Sequence, residues 1–185
     1  MVDKDLLSIQ EARSLVRAAR VAQAEFSQLG QERIDAVVKA VSEATAAQAE
    51  ALAVMANEET GYGKPHDKKI KNLLASEKVY ACIKDMKTVG ILREDKVNKI
   101  VEIAVPVGVI AGIIPSTNPT STVIYKSLIS LKAGNAIVFT PHPAAKKCIG
   151  RTVQIIKEAL HNCGVSTDLV SCISVPTMEG SAELM

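Results

Sequence analysis

The second half of the sequence alternates short apolar runs with longer amphipathic segments, and no other feature constrains the fold as much. Apolar runs rich in β-branched residues predict strands at residues 108–115, 135–140 and 169–175. Helical segments follow the first two runs, at residues 119–131 and 144–162, and the C-terminal TMEGSAELM predicts the start of another helix. A β-α-β-α-β series with right-handed crossovers forms a doubly wound parallel sheet, so the sequence predicts an α/β fold. The first run, GVIAGIIP, is continuous enough to predict a strand buried on both faces.

The first third of the chain predicts helices rich in alanine. The first helix covers residues 8–29 and ends at Gly30, and the second covers residues 31–59 with a break at Thr45. A third helix is predicted over residues 67–85. The apolar side chains that we expect it to bury are Ile70, Leu73, Leu74, Val79 and Ile83.

The helical spacing of apolar residues ends after these helices. Residues 88–93 and 99–105 are rich in β-branched side chains and flank the sequence EDKVN, which predicts a two-stranded hairpin. An isolated hairpin leaves strand edges unpaired, so this segment could pair with a neighbouring subunit.

Composition and charge argue against several classes of protein. The chain carries 22 basic and 20 acidic residues, a net charge of +2, which favours neither nucleic acid nor an anionic membrane as a partner. Aromatic residues make up only 3%, too few for base-stacking platforms. The longest apolar run is far shorter than the roughly 20 residues that span a bilayer. The N-terminal segment lacks the apolar stretch of a signal peptide, so we expect a cytoplasmic globular protein.

The potential metal ligands and nucleophiles do not form a recognisable cluster in the sequence. No CxxC pair is present and no Cys/His group has zinc spacing, so no metal site is predicted. Free cysteine is among the most buried residue types. The cysteines expected to be buried are Cys82, Cys148, Cys163 and Cys172. The adjacent carboxylates Glu58 and Glu59 predict a solvated helix end.

Two loops follow strands of the predicted sheet and could bind a ligand, because ligands of open parallel sheets lie at the carboxyl ends of the strands. One is PSTNPT at residues 115–120 and the other is TPHP at residues 140–143. Their prolines make both loops stiff. The commoner explanation of Thr117 and Asn118 is that they only cap a helix, although a helix N-terminus also attracts anions. His142 is the one histidine that we consider a candidate ligand contact. No GxGxxG or Walker motif is present.

At these loops the sequence resembles the aldehyde dehydrogenase superfamily. The stretch PVGVIAGIIPSTNPTSTVIYKSLISLKAGNAIVFTPHPAAK is similar to its cofactor domain. Ser116 and Thr117 stand where the general superfamily has Trp before Asn-Pro, and residues 140–143 replace its Lys-Pro. These differences resemble the branch that makes acyl-CoA from aldehydes, as do NEETGYGKPHDKKIKN and KDMKTVGIL upstream.

The resemblance implies a mechanism and a set of site residues. A cysteine thiolate attacks the aldehyde, hydride passes to NAD, and coenzyme A, the co-substrate, takes the acyl group from the resulting thioester. Asn118 would be the catalytic residue that binds the oxyanion. The residues that would bind the cofactor are Ile114, Pro115, Ser116, Thr117 and Asn118 on the nicotinamide side, and Thr140, Pro141 and His142 on the adenosine side. The absence of the usual Lys leaves the choice between NAD and NADP open.

The resemblance also divides the chain into three parts. Residues 1–87 would be the helical part of the cofactor domain, residues 88–105 an oligomerisation hairpin, and residues 106–185 the first part of the Rossmann-like NAD-binding domain. The family's nucleophilic cysteine lies downstream in a catalytic domain, so we expect the chain to be the N-terminal portion of a longer enzyme and to be inactive by itself. We expect the intact protein to form homo-oligomers.

The sequence leaves several functions open. The favoured function is an acylating dehydrogenase for a small aldehyde, most simply acetaldehyde. The alternatives are the same domain in a bifunctional aldehyde-alcohol dehydrogenase, a relative acting on succinate semialdehyde, and a nucleotide-binding fragment without catalysis. The basic run of Lys68, Lys69, Lys71 and Lys78 could contact the phosphates of coenzyme A, but a solvated helix face is its commoner explanation.

Overall fold

A computed structural model describes residues 3–185 and contains the predicted parallel sheet. The five strands are β1 (Gly90–Asp95), β2 (Ile100–Ala104), β3 (Val109–Ile114), β4 (Ala136–Pro141) and β5 (Val170–Cys172). Strands β3, β4 and β5 form the sheet in that order, with parallel pairing throughout. The prediction of an α/β fold is therefore confirmed, although β5 is shorter than residues 169–175.

Within residues 3–185, eight α-helices pack against this sheet and against one another. Their bounds are α1 (Lys4–Phe26), α2 (Gln31–Ala47), α3 (Ala49–Thr60), α4 (Pro65–Leu73), α5 (Val79–Ile83), α6 (Pro119–Lys132), α7 (Lys146–Asn162) and α8 (Met178–Leu184). A π-helical turn joins α4 to α5, and 3-10 turns precede α7 and β5. The C-terminal helix predicted from TMEGSAELM is confirmed as α8.

Local chemistry explains where several helices begin and end. The Asp3 carboxylate accepts the Asp5 N–H at 2.9 Å before α1, and the Thr177 hydroxyl accepts the Gly180 N–H at 3.0 Å before α8. Gly61 adopts a left-handed conformation with φ of 70° and ends α3. The predicted break at Thr45 was wrong. This buried hydroxyl donates to the Val41 carbonyl at 2.8 Å within α2, and the helices separate at Gln48 instead.

The end of α1 also differs from the expectation. The helix ends at Phe26, whose side chain is buried in the core, and the chain then turns before Gly30. Gly30 is extended and begins α2 rather than ending α1. A glycine after a periodic segment marks either a helix end or the next helix start, and the sequence alone did not distinguish the two.

The core lies around β4, all six of whose residues are buried. Helix α6 covers one part of this core with Val123, Ile124, Leu128 and Leu131, which are fully buried. Strand β3 is less buried than we expected, because within the described chain it is an edge strand and Ile113 remains 54% exposed. The prediction that β3 is covered on both faces was therefore wrong for these residues.

The hairpin is formed by β1 and β2, which pair antiparallel with a bulge between Ile91 and Arg93. The turn lies at residues 96–99, and Lys99 takes a left-handed φ of 57° there. The hairpin presents unusually many exposed apolar side chains: Ile91, Leu92, Val97, Ile100, Val101 and Ile103. Apolar surface of this extent usually marks an interaction site.

The helical region after Pro65 departs most from its predicted packing. Ile70 and Leu74 were expected in the core but are 53% and 56% exposed. The buried residues of this region are instead Lys68, Asn72, Ala75 and Ser76. The apolar pattern was therefore misleading, because α4 packs against its neighbours through a face that carries hydrogen-bonding groups.

Candidate active site

The two predicted site loops lie side by side at the carboxyl edge of the sheet. Strands β3 and β4 pair in parallel up to Ile114 and Pro141, which are partners in the register. The His142 N–H then donates to the Ile114 carbonyl at 3.2 Å, one residue beyond the strand. Residues that are 27 positions apart in sequence are thus adjacent at one edge, as the parallel topology predicts.

Asn118 occupies the N-cap position of α6 but its side chain does not cap the helix. Its backbone carbonyl accepts the first helical hydrogen bond, from the Thr122 N–H at 3.2 Å. Its amide oxygen Oδ1 instead accepts a hydrogen bond from Nζ of Lys71 at 2.9 Å. The amide nitrogen Nδ2 forms no hydrogen bond within residues 3–185. A simple capping role therefore does not explain this side chain, and its N–H groups can serve a ligand.

Three polar side chains of α4 hold the loop that contains Asn118. Nζ of Lys68 donates to the Thr117 carbonyl at 2.9 Å, and Oδ1 of Asn72 accepts the Thr120 hydroxyl at 2.8 Å. Together with Lys71 these residues have the spacing i, i+3 and i+4, which places them on one face of a helix. The face of α4 that contacts the loop is therefore specified by the segment KKIKN.

Lys68 is buried, with only 5% of its surface exposed. Burial lowers its pKa below the usual value for lysine, and the nearby charge of Lys71 lowers this pKa further. The interpretation of the lysine run as a solvated face was wrong for Lys68. Lys71 is exposed but engaged with Asn118, and Lys69 pairs with Glu50 at 2.8 Å.

Two polar contacts hold the end of β4 and the loop that follows it, one to α8 and one within the loop. The buried Thr140 hydroxyl lies 2.6 Å from the Ser181 hydroxyl of α8. Nδ1 of the exposed His142 accepts the Ala144 N–H at 3.1 Å and so caps the 3-10 turn. Of the predicted cofactor-binding residues on this side, His142 is the most accessible, while Thr140 and Pro141 are buried.

The accessibility of the first loop is more favourable for a ligand. Pro115 and Thr117 are exposed, Ser116 and Asn118 are partly buried, and Ile114 is buried. Pro119 begins α6 and has no N–H, so the next two backbone donors belong to Thr120 and Ser121. No side chain caps this helix within the described chain. These features fit a surface that receives a polar or anionic ligand.

Helix α7 also begins at the carboxyl edge of the sheet, but a side chain of the protein already binds the backbone N–H groups of its first turn. The Glu59 carboxylate accepts the backbone N–H groups of Lys147 and Cys148, each at 2.7 Å. The expectation that Glu59 belongs to a solvated helix end was therefore wrong. A carboxylate supplied by the chain fills the position that an anionic ligand would take at a helix N-terminus.

None of the four cysteines has the position and reactivity of a nucleophile that acts beside Asn118. Burial raises the pKa of Cys148 to about 12, to which the Glu59 carboxylate contributes, and burial also raises the pKa of Cys172 to about 12. A protonated buried thiol is inert. Cys163 follows the C-terminal end of α7, away from the edge where α7 begins.

Cys82 was expected to be buried but is exposed. Cys82 lies near the C-terminal end of α6, because it is two residues before Lys84, and the Lys84 carbonyl accepts a hydrogen bond from Nζ of Lys132 at 2.8 Å. Lys132 is the last residue of α6 and Asn118 precedes its first, so a 14-residue helix of about 20 Å separates the two regions. Only Cys148 is buried as predicted, since Cys163 and Cys172 are intermediate.

The described residues contain neither a metal cluster nor a membrane-spanning helix. Within residues 3–185 no three His, Cys, Asp or Glu side chains are grouped so that they could hold a metal ion. No helix in the same range is long and apolar enough to cross a bilayer.

Sequence reasoning found both loops but missed the side chains that fix them. Lys71 and Lys68 were recognised only as a charge run, and Glu59 only as one of two adjacent acids. The useful signal was the spacing of Lys68, Lys71 and Asn72, which places three hydrogen-bonding groups on one helical face where apolar residues would be expected.

The sequence and the structure of this chain are similar to those of known proteins. A sequence model described as the aldehyde dehydrogenase family matches residues 5–185. The bifunctional aldehyde-alcohol dehydrogenase AdhE of Escherichia coli K12 is 44% identical over 178 residues, covering 96% of this chain and 20% of that protein.

Two solved structures superimpose closely. A probable aldehyde dehydrogenase from Listeria monocytogenes EGD-e is 56% identical, with a TM-score of 0.98, over 99% of this chain and 40% of that one. An acetylating aldehyde dehydrogenase from Geobacillus thermoglucosidasius is 51% identical, with a TM-score of 0.97, over 100% of this chain and 41% of that one. The chain thus spans about a fifth to two fifths of the length of these relatives.

Proposed function

The chain belongs to the aldehyde dehydrogenase family, and we propose that it contributes the oxyanion-binding amide and part of the cofactor surface to an NAD-dependent, CoA-acylating aldehyde dehydrogenase. Acetaldehyde is the proposed substrate. The acetylating relative from Geobacillus thermoglucosidasius and the bifunctional relative from Escherichia coli support this choice, since both match nearly the whole chain.

The observation that supports the proposal is the hydrogen bonding of the Asn118 side-chain amide. Its oxygen accepts a hydrogen bond from Lys71, and its two N–H donors form no hydrogen bond within residues 3–185. A donor held ready at the edge of a parallel sheet can bind the negative oxygen that develops when a nucleophile adds to a carbonyl. A helix-capping asparagine would instead use its side-chain oxygen to accept a backbone N–H of α6, which Asn118 does not do.

The proposed reaction proceeds by carbonyl addition and acyl transfer. A cysteine thiolate outside the four cysteines of this chain adds to the aldehyde carbon, and the carbonyl oxygen becomes an alkoxide that accepts a hydrogen bond from Nδ2 of Asn118. When bound, NAD+ supplies the acceptor for the hydride that leaves this carbon. Loss of the hydride restores the C=O bond as a thioester. The thiolate of coenzyme A then displaces the enzyme thiolate and carries away the acyl group.

The residues at the sheet edge fit the proposed cofactor surface. Pro115 and Thr117 are accessible beside Asn118, and the start of α6 offers uncapped backbone donors. Ile114, Ser116 and Asn118 would complete the nicotinamide side. Thr140, Pro141 and His142 would form the adenosine side, with His142 contributing most through its exposed ring. The preference for NAD over NADP belongs to the proposal.

The remaining parts of the proposal concern the organisation of the protein. We assign residues 1–87 to the helical part of the cofactor domain, residues 88–105 to an oligomerisation hairpin and residues 106–185 to the Rossmann-like part. The exposed apolar side chains of β1 and β2 support a role of this hairpin in a homo-oligomer. A cytoplasmic location stays a prediction from the sequence.

The proposal is tested on the full-length protein encoded by the gene. We expect NADH formation from acetaldehyde and NAD+ to depend on coenzyme A and to yield acetyl-CoA. The substitution Asn118→Ala should lower kcat by about 10²–10³-fold, the usual loss for an oxyanion donor. Asn162→Ala, an exposed position at the end of α7, is the matched control and should leave kcat unchanged.

Two results would contradict the proposal. Formation of NADH without coenzyme A, with free acid as product, would assign the protein to a hydrolytic branch of the family. CoA-dependent turnover by the 185-residue chain alone would show that one of its own cysteines is the nucleophile, against the burial and placement described above.

A further inference from the structure

We infer that Lys71 is a positioning residue for the oxyanion-binding amide of Asn118, so that helix α4 is part of the catalytic apparatus. This inference rests on the proposed function. The contact that supports it is the hydrogen bond of 2.9 Å between Nζ of Lys71 and Oδ1 of Asn118.

The chemistry of the two groups fixes the orientation of the amide. A lysine ammonium has only donors, and the amide nitrogen Nδ2 also has only donors, so the side chain of Asn118 must turn its oxygen towards Lys71. Rotation of the amide by half a turn would place two donors against each other. Lys71 therefore directs both N–H groups of Nδ2 away from α4, where they form no hydrogen bond within residues 3–185.

The same contact makes the amide a stronger donor. A hydrogen bond from a charged group is shorter and about twice as strong as a neutral one. Because it draws electron density towards Oδ1, it increases the partial positive charge on the Nδ2 protons, as in other chains of polarised hydrogen bonds. Lys71 would thus strengthen the hydrogen bond between Nδ2 and a bound alkoxide, because it polarises the amide that joins them.

Helix α4 is itself anchored on both sides of Lys71. Lys68 holds the Thr117 carbonyl and Asn72 holds the Thr120 hydroxyl, so the loop is bonded on either side of Asn118. Asn72 is 1% exposed and also donates to the Ala49 carbonyl at 2.9 Å, which connects the arrangement to α3. The exposed side chain of Lys71 therefore reaches Asn118 from a helix that is bonded both to the site loop and to α3.

The π-helical turn after α4 contributes to this support. It covers Leu74–Lys78, and π-turns inside helices are frequent at functional sites. The Ser42 hydroxyl of α2 donates to the Ser76 carbonyl at 3.0 Å, which satisfies a carbonyl in the irregular turn. The helix therefore changes its register directly after the residues that contact the site loop.

The test compares Lys71→Met with Lys71→Arg in the full-length protein. We expect Lys71→Met to lower kcat by about 10–100-fold, because a misplaced catalytic group typically costs that much. The KM for NAD+ should change less than threefold, and Lys71→Arg should recover part of the loss. Lys39→Met removes the same charge from an exposed position of α2, where the ammonium lies 3.8 Å from the Glu43 carboxylate, and is expected to have no effect.

A double-mutant cycle separates positioning from a general structural role. If Lys71 acts through Asn118, Lys71→Met should cause little further loss in a protein that already carries Asn118→Ala. An equal loss in both backgrounds would overturn the inference. Absence of acylating activity in the unmodified protein would instead contradict the proposed function.

A crystal structure of the Lys71→Met protein tests the geometry without any assay of activity. We expect the Asn118 amide to leave its present orientation, with Oδ1 bonded to a different donor or to water. An unchanged amide would show that the backbone of the loop alone fixes it, and the inference would fail even if the protein is an acylating dehydrogenase.

Discussion

The carboxylate of Glu59 accepts the backbone N–H of Cys148 at 2.7 Å, although 89 residues separate them in sequence. The same carboxylate also accepts the Lys147 N–H, so the end of α3 caps the beginning of α7. This contact joins the N-terminal helices to α7, which begins shortly after β4 at the edge that carries the site loops. The helices that precede the sheet are therefore structural partners of the site, both here and at Lys71.

Substitution of Glu59 should cost stability through the loss of this cap. Glu59→Ala leaves two N–H groups of α7 without their carboxylate partner, and we expect the free energy of unfolding to fall by about 1–2 kcal/mol. Urea denaturation of the two proteins measures this difference. Glu58→Ala is the matched control, since Glu58 is adjacent and exposed, and should change the stability by less than about 0.5 kcal/mol. If Glu59→Ala and Glu58→Ala changed the free energy of unfolding equally, the cap of α7 by Glu59 would not contribute specifically to stability.

The sequence predicted the sheet and the position of both loops because these features are encoded in local patterns. The apolar part of β4, Ala136 to Phe139, lies between Gly134-Asn135 and Thr140-Pro141, and Asn118-Pro119 marks the start of α6. Each is recognisable within about ten residues. The parallel topology then required the loops after β3 and β4 to meet at one edge, as Ile114 and His142 do.

The sequence did not predict the contacts of α4, for a physical reason. Ile70 and Leu74 satisfy an apolar stripe, but the helix uses the face that carries Lys68 and Asn72 for packing. Buried polar groups are favourable only when distant partners are available. Here those partners are the Thr117 carbonyl and the Thr120 hydroxyl, 49 and 48 residues away, which no local pattern of residues could reveal.

Gly112 in the middle of β3 should not tolerate a side chain. A Cβ at this position would overlap the ring of Phe139 on the neighbouring strand and approach Cδ1 of Ile137 within 3.2 Å. We expect Gly112→Ala to lower the free energy of unfolding by about 1–3 kcal/mol through overpacking. Thermal or urea denaturation provides the measurement.

Two further variants test the cause of the Gly112 effect. Gly150 lies in α7 and a Cβ there would meet no other atom within 4 Å, so Gly150→Ala should stabilise by about 0.5–1 kcal/mol. Phe139→Leu in the Gly112→Ala protein should recover part of the loss, because it removes the ring edge. Failure of Phe139→Leu to interact with Gly112→Ala would contradict a local clash.

Cys148 should make the protein less stable as the solution becomes alkaline. Its folded-state pKa is raised to about 12 by burial and by Glu59, against about 9.0 in a free thiol. Between these two pH values the unfolded chain releases the thiol proton while the folded chain keeps it. The stabilisation is therefore complete below pH 9 and is lost as the pH rises towards 12, with a slope of at most about 1.4 kcal/mol per pH unit for this group.

The measurement compares urea denaturation at several pH values above about 9 for the unmodified protein and for Cys148→Ala. The substitution should make the decline of stability with pH shallower, whatever its effect on the stability near neutral pH. Cys82→Ala, which removes an exposed cysteine, should leave the slope as it is. An unchanged slope in Cys148→Ala would show that this thiol is not protected by the fold.

The hairpin should control the oligomeric state of the protein. Ile91 and Ile103 are opposite each other across β1 and β2, so both side chains lie on the same face, and they are 54% and 59% exposed. Replacing both with lysine places two charges on this apolar surface. We expect the mass in solution to fall to that of a smaller assembly, because a charged residue at the centre of an interface is strongly unfavourable. Sedimentation velocity on the full-length protein measures this mass.

The same double substitution should leave the fold of each subunit intact, because more than half of each isoleucine is already exposed to water. Val97→Lys at the hairpin turn, where the side chain is 90% exposed, is the matched control and should not change the mass. If Ile91→Lys with Ile103→Lys instead lowers the unfolding temperature and leaves the mass unchanged, the hairpin stabilises its own subunit. The apolar side chains would then be buried by residues of the same chain rather than by a second copy, and the assignment of residues 88–105 to oligomerisation would be wrong.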